Sequence, residues 1–364
     1  MGLKIGIVGL PNVGKSTVFN ALTKAGAQVA NYPFCTIDPN VGVVPVPDSR
    51  LEKLAEIYKP EKVTPTIVEF VDIAGLVKGA STGEGLGNQF LGHIKEVDTV
   101  LHVVRCFEDP DIVHVSGTID PVRDVEVIQT ELCLKDLDTV ASRIRKLEKT
   151  AKSGDKESKL ALSVAEKAAK FLEAGTPIRK AEWTKEELPL LRELQLITQK
   201  PVLYAANVKE SELPHGGSLV DRVQEIAKQE GSQVVILCGK VEAEVAELSD
   251  EEAKVYLEEF GLQESGLHQL IRLGYELLGL VTFLTAGEKE VRAWTVRKGS
   301  SAPQAAGVIH SDFERGFIRA EVMRYEDLIK YGSQQAVKER GLYRLEGKEY
   351  IIQDGDVIYF RFNV

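Results

Sequence analysis

No apolar run in the 364-residue chain reaches the roughly 18 residues that a membrane-spanning helix requires, so the sequence offers no membrane span. Cysteine is scarce. Cys35, Cys106, Cys133 and Cys238 lie far apart and show no C-x-x-C spacing. That argues against a disulfide framework or a thiolate zinc site and fits a reducing cytosol. Excess positive charge is lacking too. The net charge is −10, so the surface as a whole is no nucleic-acid footprint and DNA is not an expected partner; any RNA contact must be local. Residues 281–364 carry 13 Lys/Arg against 12 Asp/Glu, so the acidic excess lies upstream of them. Internal repeats and low-complexity tracts are absent. The N-terminal MGLKIGIVGLPNVGKS has a short apolar run that leads into glycines and a lysine, without a small-residue cleavage site, and reads as a strand and not a signal peptide.

What remains is a globular balance, 43% hydrophobic and 27% charged, in a chain long enough for two or three domains. Short apolar runs at Leu3–Val8, Ile67–Val71, Val100–Val104, Val202–Ala206 and Val234–Leu237 read as buried strands, with helical patterns between them, such as Ser16–Lys24. Strands alternating with helices imply a parallel sheet covered on both faces. The alternation breaks between Asp124 and Gly175. There Cys133, Leu137, Val140, Ile144 and Leu147 follow a heptad-like seam, and Leu160, Val164, Ala168 and Phe171 resume it after a polar stretch. This predicts an inserted αα-hairpin. Its tip is rich in Arg143, Arg145, Lys146, Lys149, Lys152, Lys156 and Lys159, which reads equally as a solvated helical face or as an RNA contact. Residues 281–364 form a separate α+β module, with strands in VRAWTV, FIRAEV and VIYFRF and a helix at Tyr325–Lys330. The expected domains are therefore 1–123 with 201–280, the insertion 124–200, and the module 281–364.

Gly9 to Ser16, GLPNVGKS, matches G-x-x-x-x-G-K-[ST] after a strand and before a helix. Such a loop turns backbone N–H groups toward phosphate oxygens, and the helix adds the positive end of its dipole. Asn12, Val13, Gly14, Lys15, Ser16 and Thr17 are the expected phosphate-binding residues. Lys15 is expected to reach the β and γ phosphates, and Ser16 to ligate Mg²⁺ through its hydroxyl. Asp72-Ile-Ala-Gly75 ends the second apolar strand. A carboxylate there faces the Mg²⁺ of a P-loop site, and Gly75 lets its N–H approach the γ-phosphate. Between the two motifs, NYPFCT offers Thr36 as a switch-loop ligand of Mg²⁺. Gly79, Gly83, Gly85 and Gly87 follow the second motif and suggest a segment that orders around the γ-phosphate.

NYPFCT, DIAGLVKGASTGEGLGNQFL, HVVRCFED, HVSG and APQAAGVIHSDFERGFIRAEV together resemble the YchF family of Obg-related GTPases over essentially the whole chain. The resemblance implies a P-loop GTPase-type sheet domain with an inserted helical hairpin and a C-terminal TGS-type β-grasp domain. It further implies a translation-associated protein that prefers ATP to GTP and contacts the ribosome. The loop histidine of H-V-S-G, His114, is by the same resemblance the proposed catalytic group; His93 is a weaker candidate. Ras-type enzymes carry a glutamine just after D-x-x-G, but here that position is Leu76, which orients no water. Asn12 suggests K⁺ as a second ion, as in some related GTPases, or simply a stabilised loop turn.

The guanine-reading N-K-x-D of ordinary GTPases is replaced by Asn207-Val208-Lys209-Glu210. The longer Glu210 displaces the carboxylate by about a methylene, so its two-pronged contact with guanine is lost. Asn207 is a candidate purine ligand or a turn residue. Val208 and the loop Cys238-Gly239-Lys240, where the family has a Ser-Ala-Lys-like sequence, complete the expected base site. Two rival functions remain, an interaction module gated by nucleotide and a P-loop kinase acting on a small acceptor. Multiple-turnover phosphate release separates the first from a hydrolase, and the fate of the γ-phosphate separates the second.

Overall fold

The computed structural model describes residues 3–27, 40–73, 97–112, 114–151 and 155–363. In chain order the first half contains β1 Leu3–Val8, α1 Lys15–Ala27, β2 Val41–Pro45, α2 Ser49–Tyr58, β3 Lys62–Thr64, β4 Ile67–Asp72, β5 Thr99–Arg105, α3 Pro121–Ala151, α4 Lys156–Glu173 and α5 Glu187–Glu193. The second half contains β6 Val202–Asn207, α6 Ser218–Glu230, β7 Gln233–Leu237, α7 Gly239–Val245, α8 Asp250–Glu259, α9 Gly266–Leu277, β8 Leu280–Ala286, β9 Glu290–Arg297, α10 Ala302–Ile309, α11 Ser311–Arg315, β10 Phe317–Arg324, α12 Tyr325–Tyr331, α13 Gln334–Glu339, β11 Arg344–Glu346 and β12 Asp356–Phe362. No helix among the described residues is long and apolar enough to cross a membrane.

Two compact units result, 1–44 with 69–270 and 45–68 with 271–364. The first is built on a six-stranded sheet of order β2-β4-β1-β5-β6-β7. β1, β5, β6 and β7 pair in parallel, and every residue of β5 and β6 is buried. That is why both read as unbroken apolar runs. The carboxyl ends of β1, β4, β5, β6 and β7 deliver Gly9, Asp72, Arg105, Asn207 and Cys238, in the position where ligands bind in open α/β sheets.

Between β5 and β6 the chain leaves the sheet as the antiparallel pair α3 and α4. The seam is as the spacing predicts: Cys133, Val140 and Leu147 are buried against Val164, Ala165, Ala168 and Leu172, with Leu137 and Ile144 partly buried beside them. Asp155 caps α4 by accepting from the Ser158 N–H at 2.8 Å. The return to the sheet is fixed by Asp136 on α3, fully buried, which accepts from the backbone N–H groups of Ile197 (2.9 Å) and Thr198 (2.7 Å) and from the Thr198 hydroxyl (2.6 Å).

In the second unit the sheet order is β11-β10-β12-β8-β9-β3. The hairpin β8–β9 is antiparallel, β12 runs parallel to β8, and β10 lies antiparallel between β12 and β11. This is a β-grasp. Val281, Phe283, Val322, Ile358 and Phe360 face α10 on one side, while Leu284, Met323 and Val357 face the other, as the two-residue period of a strand requires. The sequence boundary at 281 missed one part of this unit. Residues 45–68 belong to it: α2 lays Leu51 and Leu54 on the second face, and β3 adds a sixth strand beside β9.

Candidate functional site

A cavity of 1070 Å³ opens at the carboxyl ends of the first unit's strands. One wall is the loop from β1 to α1. Gly9 lies close against β5, where a Cβ would meet the Val103 carbonyl oxygen at 2.7 Å. Asn12 (φ 62°) and Gly14 (φ 91°) both occupy the left-handed region, so the backbone reverses twice before α1 begins. A Cβ on Gly14 would also collide with the Asn207 Nδ2 at 2.2 Å. Gly9, Asn12, Gly14, Lys15, Ser16 and Thr17 line the cavity. Val13 does not; its side chain is buried and its carbonyl accepts from Asn207.

Lys15 and Asp72 meet in this wall, Nζ to Oδ1 at 2.5 Å, each side chain 14% exposed. The cation expected at the phosphates and the carboxylate expected at the metal therefore come together at one place, from the first residue of α1 and the last of β4. The Ser16 side chain is exposed beside them. Thr36, Gly75, Leu76 and His93 lie outside the described residues.

The opposite wall holds Asn207, Val208, Lys209, Glu210, Ser211, Cys238, Gly239 and Lys240. Asn207 is 5% exposed. Its Nδ2 donates to the Val13 carbonyl at 2.9 Å, and its Oδ1 accepts from the Gly239 N–H at 2.9 Å. These partners fix the orientation of the amide, since a carbonyl cannot donate and an N–H cannot accept. The residue expected as a base ligand or turn former is thus also the tie between the phosphate loop and the loop after β7. Glu210 is engaged as well: Lys240 Nζ lies 2.5 Å from its Oε1, and this contact raises the lysine's pKa. Burial raises the pKa of the Cys238 thiol and keeps it neutral.

His114 is not brought to the cavity wall. It is 6% exposed, and both ring nitrogens are engaged. Its Nε2 lies 2.8 Å from Asp124 Oδ2, and its Nδ1 accepts from the Ser116 N–H at 3.2 Å. Nδ1 therefore carries the lone pair and Nε2–H donates to the carboxylate. Asp124, in the first turn of α3, also receives Arg123 at its other oxygen (3.1 Å).

The segment after β5 contributes residues that motif reading missed. Phe107, Asp109 and Ile112 line the cavity. Behind them Arg105 is buried. Its guanidinium sits over the Phe107 ring at 4.5 Å, donates to the Phe107 carbonyl (3.1 Å) and points Nη1 at the Asn12 carbonyl 3.5 Å away. The available signal was a charged residue at the end of an otherwise apolar strand, VLHVVR.

Comparison with known proteins gives one consistent answer. A family profile described as "50S ribosome-binding GTPase" matches residues 4–142, and the profile of the YchF GTPase C-terminal domain, described as a protein of unknown function, matches residues 280–363. The ribosome-binding ATPase YchF of Haemophilus influenzae is 59% identical over 364 residues, and that of Bacillus subtilis is 57% identical over 366 residues; in each case all of both chains is covered. The structure of the Schizosaccharomyces pombe YchF GTPase superimposes with a TM-score of 0.88 at 41% identity, covering 99% of this chain and 98% of that one.

The Lys15–Asp72 contact makes a direct prediction. Lys15→Ala removes the one side-chain cation of the phosphate loop and should weaken ATP binding by roughly 1.5–3 kcal/mol, about tenfold or more. Calorimetry at matched magnesium checks it, and unchanged affinity would remove Lys15 from the phosphate site.

Proposed function

The chain belongs to the YchF family, and on that premise we propose that it is a Mg²⁺-dependent ATPase that accepts GTP more weakly and works as a ribosome-associated switch in the cytosol. One observation carries this reading: Lys15, Ser16 and Asp72 share a cavity with the loops Asn207–Ser211 and Cys238–Lys240, so phosphate and base sites lie within reach of one nucleotide. Both relatives named above are described as ribosome-binding ATPases, which supports the same assignment for this chain.

In this reading the phosphates lie along the N–H groups of the Gly9–Ser16 loop, and Lys15 turns from Asp72 to the β and γ oxygens. Ser16 and Asp72 are hard oxygen donors of the kind Mg²⁺ takes together with substrate phosphates. Ser16 and Asp72 would hold the ion, with Thr36 as the further ligand expected from the sequence, and it would supply positive charge against that building on the phosphate oxygens. Water attacks the γ-phosphorus, the bond to the β–γ bridging oxygen breaks, and ADP and phosphate leave. Asn12, left-handed in the phosphate loop, is the residue through which K⁺ would add a second fixed charge; equal turnover in KCl and NaCl at matched ionic strength removes K⁺ from the account.

His114 is the proposed group that orients the attacking water. To act it must give up at least one of its two partners, the Asp124 carboxylate or the Ser116 N–H, and turn toward the cavity. His114→Ala should therefore lower kcat about a hundredfold and leave the ATP dissociation constant unchanged, because a group that acts on the water contributes only in the transition state. A kcat within twofold of the parent value would assign the water to another residue.

Base preference follows from Glu210. A guanine needs an acceptor for two donors; adenine offers a ring nitrogen at the same edge, which a bare carboxylate repels. Glu210 is displaced relative to the ordinary aspartate and held by Lys240, so guanine gains no forked contact and adenine meets no open negative charge. Asn207 retains a second N–H for either purine. ATP should bind more tightly than GTP in competition titrations with unlabelled nucleotides. A GTP preference of about tenfold, 1.4 kcal/mol, would overturn the base reading and leave the phosphate chemistry standing.

A further inference from the structure

When His114 turns to the water it can give up either of two partners, and the two are unequal. The Ser116 N–H is a neutral donor 3.2 Å from Nδ1, in a turn that the Gly117 N–H closes on the His114 carbonyl at 3.0 Å. Ser116 and Gly117 are exposed, so solvent can take over that N–H once the ring leaves it. Asp124 is the opposite case. Its side chain is 4% exposed and that of His114 3%, and Nε2 lies 2.8 Å from Oδ2. A hydrogen bond to a carboxylate is roughly twice as strong as one between neutral groups. Breaking this one would strand a buried ring N–H and a buried carboxylate oxygen together, away from bulk water.

The carboxylate is also fixed in place. Asp124 stands in the first turn of α3, where the helix dipole favours negative charge. Its other oxygen, Oδ1, accepts from the Arg123 guanidinium, from Nη2 at 3.1 Å and Nε at 3.3 Å. Arg123 is in turn anchored by Thr118, donating to its hydroxyl at 3.0 Å and to its carbonyl at 2.6 Å. Each oxygen of Asp124 therefore faces its own donor, and the carboxylate cannot turn away from His114 without losing both.

We infer that Asp124 is a positioning residue for hydrolysis: it keeps the His114 proton on Nε2 and stays bound to it, so that Nδ1 gives up the Ser116 N–H and offers its lone pair to the attacking water. The inference rests on the reading of His114 as the water-orienting group. Asp124 acts through the ring and touches neither water nor nucleotide. No proton has to move between His114 and Asp124. The water donates to Nδ1, in place of the Ser116 N–H, and is oriented toward the γ-phosphorus.

Asp124→Asn tests this at nearly constant shape. Arg123 can only donate, so the amide oxygen must take the place of Oδ1 and the amide nitrogen must face His114. The ring can then only accept at Nε2. Its proton moves to Nδ1, where no lone pair is left for the water. Turnover should fall about a hundredfold, as for His114→Ala, with the ATP dissociation constant unchanged. The variant carrying both changes should be no slower than His114→Ala alone, because the two residues act as a unit; an aspartate with a merely structural role would slow the His114→Ala protein further. Nitrogen NMR of the full chain with isotope-labelled histidine reads the tautomer, with the His114 signals assigned by their loss in His114→Ala. The parent protein should show Nε2–H, with and without a non-hydrolysable ATP analogue, and Asp124→Asn should show Nδ1–H. A parent ring protonated on Nδ1 would overturn the inference even if the Asn variant failed to fold. Asp124→Asn turnover within twofold of the parent, beside a slow His114→Ala, would overturn it and leave the role of His114 standing. If His114→Ala also stays within twofold, both fall.

Discussion

The side-chain amide of Asn207 holds together parts of the chain nearly 200 residues apart. It sits at the end of a fully buried strand, donates to the carbonyl of Val13 in the phosphate loop and accepts from the N–H of Gly239 at the start of α7. Gly14 must lack a side chain because the same amide occupies that space. Hydrogen bonds in a buried site are costly to leave unmade, so loss of the amide strands a carbonyl and an N–H together. The loop from β1 to α1 and the loop after β7 are consequently tied at a fixed spacing, which suits the single nucleotide proposed to span them.

Around that joint the site is built from strand ends. Four parallel-paired strands and β4 bring Gly9, Asp72, Arg105, Asn207 and Cys238 to one edge of the sheet. Arg105 supports the same wall from behind, with its guanidinium over Phe107 and aimed at the Asn12 carbonyl. His114 is the exception. Its ring is buried against Asp124 and Ser116 in the chain between β5 and α3, so the chemistry proposed for it is separated from the cavity by a local rearrangement. Phosphoryl transfer gives the protein little covalent work to do, and a hydrolase of this type is regulated most directly by what brings its water-orienting group into place.

Much of this was legible in the sequence because the relevant physics is local. The phosphate loop needs glycines, a lysine and a hydroxyl at set spacing, and Lys15, Ser16 and Asp72 do share a wall. The buried strands β5 and β6 read as apolar runs because they are covered on both faces. The seam from Cys133 to Leu147 read as a hairpin because its period is helical. What was not legible depends on distant partners. Asp48, Leu51 and Leu54 carry the cap and the apolar stripe of α2, but nothing local says that the stripe covers a sheet whose strands, β3 apart, lie more than 200 residues later. Asn207 could be named as a base-loop residue, yet its tie to Val13 and Gly239 exists only once three loops converge.

The claim on which the rest depends is that this cavity turns over ATP and does not merely hold it. The most direct measurement is phosphate release from γ-labelled ATP by the purified full chain, with ATP in excess and product identified chromatographically. The account predicts many equivalents of free inorganic phosphate per chain, with ADP as the other product, and cessation when magnesium is chelated. Release that stops at one equivalent, or label that passes to an acceptor other than water, would contradict it.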